Sequence, residues 1–91
     1  MMKVLILPIK RVWFNKVKSG EKPFEYRVCS QYWKARLSKN PSHVILRNGY
    51  SKKSPSLIAE VDFIQVVNGL ETDLSIDEPV YAIKLKNIKT I

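Results

Sequence analysis

Residues 20–27 read Gly20-Glu21-Lys22-Pro23-Phe24-Glu25-Tyr26-Arg27. Between Lys22 and Arg27 the chain supplies an ammonium, a carboxylate and a guanidinium. An ammonium is a point charge for a phosphate or base oxygen and, when desolvated, a general base. A carboxylate beside it can move a proton, and a guanidinium fork grips an anion through paired hydrogen bonds. Together they suit a site for a polar or phosphorylated ligand. Each group also has a plainer role. Lys22 follows a predicted helix end, where its charge offsets the negative end of the helix dipole. Glu25 and Arg27, two apart on one strand face, can be a surface ion pair worth less than about 1 kcal/mol.

The elements that must hold these groups follow from hydrophobic pattern. Residues 10–19 predict a helix on which Ile9, Val12, Trp13, Phe14 and Val17 form one arc, with Gly20 as its stop. Lys10 falls inside that arc near the helix start, where a cation opposes the dipole. The mismatch marks it as a candidate ligand group. Residues 22–29 alternate, Phe24, Tyr26 and Val28 pointing one way and Glu25 and Arg27 the other. Strict alternation sets Lys22 against Glu25, so a shared cleft requires Lys22 in the turn before the pleat begins. Pro23, which donates no ladder bond, allows this.

Residues 3–9 are an apolar run that predicts a strand buried on both faces. Ser30 caps a second short helix carrying Tyr32, Trp33, Ala35, Arg36 and Leu37. After a loop at 38–42, a strand at 43–47 turns Val44 and Leu46 inward. Residues 57–67 predict a long strand with Leu57, Ala59, Val61 and Phe63 on one face, its pattern blurring after Phe63 as at a bulge. An acidic loop at 68–79, with one helical turn at most, leads to a last strand at 80–86. Tyr81, Ile83 and Leu85 share a face there, and Ile88 extends the apolar set. The expected fold is α+β: one domain over residues 1–91, about five strands curled into a small β-barrel, and two short helices packed outside.

Composition narrows the partners. Apolar residues make up 45% and charged residues 26%, ordinary for a globular domain, but the net charge is +8 and the pI about 9.8. Residues 1–50 hold eleven Lys and Arg against Glu21 and Glu25, whereas residues 51–91 hold five Lys against six carboxylates. A basic half favours a polyanion, because each neutralised phosphate releases counterions. The plainer reading is a solvated, solubilising surface. Arg47, Tyr50, Lys52 and Lys53 frame the loop from Asn48 to Ser56, either a hydrophilic hairpin tip or a grip on a single-stranded backbone. Tyr32 and Tyr50, beside cations and off the periodic apolar set, are the stacking candidates. Trp13, Phe14 and Trp33 read as core.

Cys29 and His43 are the only residues of their types. They leave no disulfide and no Cys- or His-based metal site, and they fit a reducing, cytoplasmic setting without metal or cofactor. Cys29 lacks an adjacent base, His43 reads as structural, and Asp73, Asp77 and Glu78 are too loosely spaced to bind a metal. The run from Val4 to Ile9 is too short to span a bilayer and lacks the marks of a signal peptide, so no membrane partner is expected.

The order of these features resembles the ASCH domain, a branch of the PUA-like superfamily. An apolar strand leads to Lys10, a short aromatic helix, Gly-x-Lys-x-x-Glu-x-Arg over residues 20–27, a second aromatic helix, and a basic loop before a long strand. The resemblance spans nearly the whole chain and is most specific over residues 10–27. It implies a β-barrel with helices outside and a cleft beside the first helix. PUA-like domains generally bind RNA. Some ASCH members resemble amidohydrolases of acylated cytidine, and others behave as ribonucleases. The amidohydrolase pattern places catalytic roles on Lys22 and Glu25, with a downstream glutamate for which Glu71 and Glu78 are candidates by order. That type carries threonine where this chain has Glu25.

Three functions are then open. The first is an RNA- or single-strand-binding module using Lys10, Lys22, Glu25 and Arg27 in the cleft and Arg47, Tyr50, Lys52 and Lys53 beside it. The second is a small metal-independent hydrolase with Lys22 and Glu25 as catalytic groups. The third is a protein-interaction module for an acidic partner.

Overall fold

A computed structural model describes residues 3–91. Alternation, and not hydrophobicity alone, sets the first strand, β1 (Val4–Ile9). Leu7 is fully buried and Leu5 and Ile9 pack on the core, while Val4 and Ile6 are 40% and 45% exposed. The strand expected to be buried on both faces is therefore a sheet edge, covered on one. A run of branched residues shows what can be buried, but not which faces receive cover.

Helix α1 (Arg11–Ser19) buries Phe14 and Val17 and packs against strands β3 and β5 described below. Val12, expected in the apolar arc, is 52% exposed. Gly20 stops the helix in the left-handed region at φ 86°, its N–H donating to the Val17 carbonyl at 3.1 Å. The Lys22 N–H then bonds the Lys16 carbonyl at 3.1 Å, so Lys22 stays in the turn and the pleat begins at Phe24. Strand β2 (Phe24–Val28) leads to helix α2 (Gln31–Leu37), capped by Ser30 Oγ accepting from the Trp33 N–H at 3.3 Å.

Strands β3 (His43–Asn48), β4 (Ser56–Asn68) and β5 (Pro79–Thr90) complete one mixed sheet in the order β1-β3-β4-β5-β2. Among the described residues only the β1–β3 pairing is parallel. Leu7, Val44, Leu46, Leu57, Ala59, Ile83 and Leu85 line its inner face and meet Phe14, Val17 and Leu37 from the helices. The β4–β5 ladder slips twice. One extra residue lies on β5 between the partners of Ile58 and Glu60, where Asn87 adopts φ 51°, and one on β4 between Val61 and Phe63. The second slip comes before Phe63, not after it, and Phe63 is 43% exposed instead of packing on the core with Val61. β1 and β2 do not pair with each other, so the sheet is a half-barrel with an open seam.

Between β4 and β5 runs a loop opened by a 3-10 turn, Gly69–Glu71. Gly69 is buried, and a Cβ there would lie 2.5 Å from the Ile76 carbonyl oxygen and 2.9 Å from that of Glu78. Its lack of a side chain lets the loop fold tightly back on itself. Among the described residues no helix is long and apolar enough to cross a membrane.

Candidate functional site

The open seam of the half-barrel is a cleft of about 770 Å³. Pro8 and Ile9 from β1 form one wall, and Glu25, Tyr26, Arg27 and Val28 from β2 the other. Lys10, Arg11 and Trp13 come from the start of α1, Trp33 from α2, Asn48 from the end of β3, Gly49 and Tyr50 from the loop after it, and Leu74 from the loop before β5. Arg27 ties the walls together, its Nη2 donating to the Pro8 carbonyl across the seam at 3.0 Å. Its guanidinium lies 5.0 Å from the Trp33 ring centre.

Glu25 is the floor. It is only 5% exposed, because on β2 it faces the barrel interior with Ile83 as its cross-strand neighbour. Its Oε1 accepts from the Tyr26 N–H at 3.2 Å and lies 3.8 Å from Arg27 Nη2 and 4.0 Å from Lys22 Nζ. Glu25 Oε2 and Arg27 Nε are buried without hydrogen-bond partners among the described residues. Burial raises the Glu25 pKa, against the lowering pull of Arg27, Lys22 and the Tyr26 N–H. The most buried side chain of β2 is thus this carboxylate, although its aromatic neighbours are the residues a strand pattern would select for burial.

Lys22 is held more firmly than its position in a turn suggests. Its ammonium lies 4.6 Å from the Trp13 ring centre and 5.5 Å from that of Tyr26, and forms a 2.9 Å ion pair with Asp73. Asp73 is the acidic partner that sequence reasoning missed. The candidates by order, Glu71 and Glu78, make no ion pair among the described residues. No local signal distinguishes Asp73, because it meets Lys22 only once the loop anchored at Gly69 folds back over β2.

The seam brings together Lys10, Glu25 and Arg27, with Lys22 touching Glu25 and stacked on Trp13 behind the lining. Lys10 is exposed and caps α1 with no side-chain bond. Tyr50, 89% exposed, stands at the rim. Lys52 and Lys53 lie at the exposed hairpin tip and do not line the cleft. Arg47 sits within β3 opposite Pro8, also outside the lining. Tyr32, read as a stacking platform, is covered by its own Arg36 at 3.4 Å, meets the Trp33 ring edge to face and lies outside the cleft lining. Trp13 and Trp33, read as core, both line it, and Trp33 also packs against the core. Burial and the nearby Glu78 push the Cys29 thiol pKa up, against a nucleophilic role. Among the described residues no three His, Cys, Asp or Glu side chains gather where a metal could sit.

Comparison with protein-family models, with curated proteins and with solved structures finds no match for this chain.

Proposed function

We propose that the seam cleft binds a nucleotide of RNA or another single-stranded nucleic acid, and that the chain is a PUA-like module of the ASCH type. The supporting observation is one cleft, about 770 Å³, lined by Lys10, Arg11 and Arg27 together with the rings of Trp13, Tyr26, Trp33 and Tyr50. That volume suits a single nucleotide. Lys10 and Arg11 make no ion pair among the described residues, so they are free to neutralise phosphate. Flat rings beside free cations are what single-strand binding requires: stacking for bases, charge for the backbone. The excess of positive charge in residues 1–50 points the same way.

Fluorescence anisotropy with a labelled RNA decamer tests this reading. Affinity should fall steeply between about 50 mM and about 200 mM salt, and the Lys10→Ala/Arg11→Ala double variant should bind more weakly with a shallower salt slope. Binding that ignores both ionic strength and these two substitutions overturns it.

One observation favours a second reading, a metal-independent hydrolase on the same floor. Glu25 is a buried carboxyl with a raised pKa, flanked by Lys22 and Arg27. Such a group holds its proton more tightly than an exposed carboxylate and can pass it to a bound substrate, while a cation steadies developing negative charge. Turnover of labelled RNA or acylated cytidine by the wild type, lost in Lys22→Ala and in Glu25→Gln, would support it. Equal background rates for all three would reject it.

A further inference from the structure

The outer face of the sheet beside the cleft carries aromatic rings where solvent-facing strands ordinarily carry polar side chains. Phe24 on β2, Lys84 on β5 and Phe63 on β4 lie directly opposite one another across three strands. The Phe24 and Phe63 rings meet edge to face at 6.2 Å, and Lys84 Nζ stands 5.6 Å from the Phe24 ring centre. Phe63 is 43% exposed. Phe24 is also stacked on Tyr26, with centroids 6.0 Å apart and planes within 10°. Tyr26 lines the seam cleft, so the rings form a continuous path from the cleft out onto the sheet. Lys22, beside Tyr26, and Lys84 place an ammonium at each end of the Phe24–Tyr26 pair.

Packing accounts for part of this arrangement, since Tyr26 pairs across the ladder with Ala82 and helps to bury it. It does not account for Phe63. The slip between Val61 and Phe63 takes that ring off the core phase and leaves it exposed beside Phe24. An aromatic ring with a lysine over it, on an antiparallel sheet of a chain carrying +8, matches the surface on which unpaired bases stack while cations meet the phosphates between them.

We propose that the outer face formed by Phe24, Phe63 and Lys84 is a second contact site for single-stranded nucleic acid, which stacks the nucleotides next to the one held in the cleft. The inference rests on the nucleotide reading of the cleft and extends it from one nucleotide to a track of several. Charge selects this occupant over an apolar one: Lys84 pairs across the sheet with both Phe24 and Phe63, and its ammonium, which donates to the Leu85 carbonyl at 3.4 Å, would lose its remaining water to a hydrophobic partner.

The test compares a short ligand with a long one. Uridine monophosphate reaches the cleft alone, whereas a uridine decamer reaches the cleft and the sheet. Phe63→Ala and Phe24→Ala should each weaken decamer binding by about tenfold, the usual loss of one stacked base, and Phe63→Ala, which does not touch a cleft ring, should leave uridine monophosphate unchanged. Phe63→Leu keeps the apolar area and removes the stacking, so it should behave like Phe63→Ala. Phe63 is 43% exposed and packs on Phe24, so its variants should melt somewhat lower but stay folded at the assay temperature, which circular dichroism checks and which separates lost binding from lost folding. Decamer binding that is intact in all three variants overturns the second site while leaving the cleft reading in place. A wild type that binds neither ligand removes both. Sedimentation showing that Phe63→Ala converts a dimer to a monomer overturns it in favour of a self-interface.

Discussion

Burial holds the Glu25 carboxyl above its ordinary pKa, and the attraction of Arg27 and Lys22 does not reverse it. The folded state keeps the proton more tightly than the unfolded chain, whose reference value is 4.5, so Glu25's contribution is fully present below that pH. It is lost as pH rises through the folded pKa. Glu25→Gln, which removes the charge and keeps the shape, should therefore melt higher than wild type at about pH 8, with the gap closing toward about pH 4. A variant that melts lower at about pH 8 would show that the ion pairs outweigh desolvation. Asp73 invites a complementary test at the same scale. Asp73→Asn frees the Lys22 ammonium from its 2.9 Å partner and removes one negative charge beside the cleft. RNA affinity should rise and its salt dependence steepen; unchanged affinity and slope would take Lys22 out of the binding surface. The clustering of Lys22, Glu25 and Arg27 was legible because two cations and a carboxylate stand so close in the chain. Asp73 was not, because its encounter with Lys22 depends on a distant loop.

The elements that position the cleft rest on a few local devices that can be removed singly. Ser30 Oγ caps α2 at the Trp33 N–H, so Ser30→Ala should cost about 1 kcal/mol in urea unfolding and loosen the ring that supports Arg27. No loss of stability would mean the cap is redundant. Gly69 controls the loop carrying Asp73 and Leu74. A methyl group there collides with backbone carbonyls, which cannot swing away as a side-chain tip does. Gly69→Ala should destabilise the fold by roughly 1–3 kcal/mol and weaken the Asp73–Lys22 pair, visible as altered chemical shifts at both. Wild-type stability in that variant would contradict the tight fold of the loop. Most of this layer was legible in the sequence, because caps, alternation and the Gly20 stop are written in adjacent residues. The misread details were those set by neighbours. β1 looked doubly buried because its composition hides its edge position, and β5 runs on to Thr90 because an αL residue at Asn87 lets the strand continue past polar residues. Phe63 was misplaced because a bulge shifts the phase of everything beyond it.

At the scale of the molecule, a half-barrel leaves two edge strands facing a seam, and that seam is where the chain gathers its charged motif and its rings. An open seam exposes unpaired strand edges, a liability that proteins blunt with proline, charge or cover. Here Pro8 lies on one edge, and the Arg27 guanidinium reaches over from the other to its carbonyl. The same residue thus bridges the seam and lines the cleft, so Arg27→Lys, which loses the planar fork, should harm stability and binding together. The α+β class and the strand and helix count were legible from pattern alone. The openness of the barrel was not, because closure depends on whether the first and last strands of the order meet, and neither sequence shows its edge. The central claim is that a nucleotide enters this seam. Trp13 and Trp33 are the only tryptophans in the chain, and both line it. Titrating isotope-labelled protein with a short single-stranded RNA and following the two indole N–H resonances tests the claim most directly. Both should shift together with the backbone signals of Lys10, Arg27 and Tyr50, and added salt should reverse the shifts. Indole signals that stay fixed while RNA binds elsewhere, or while none binds at low salt, would contradict it.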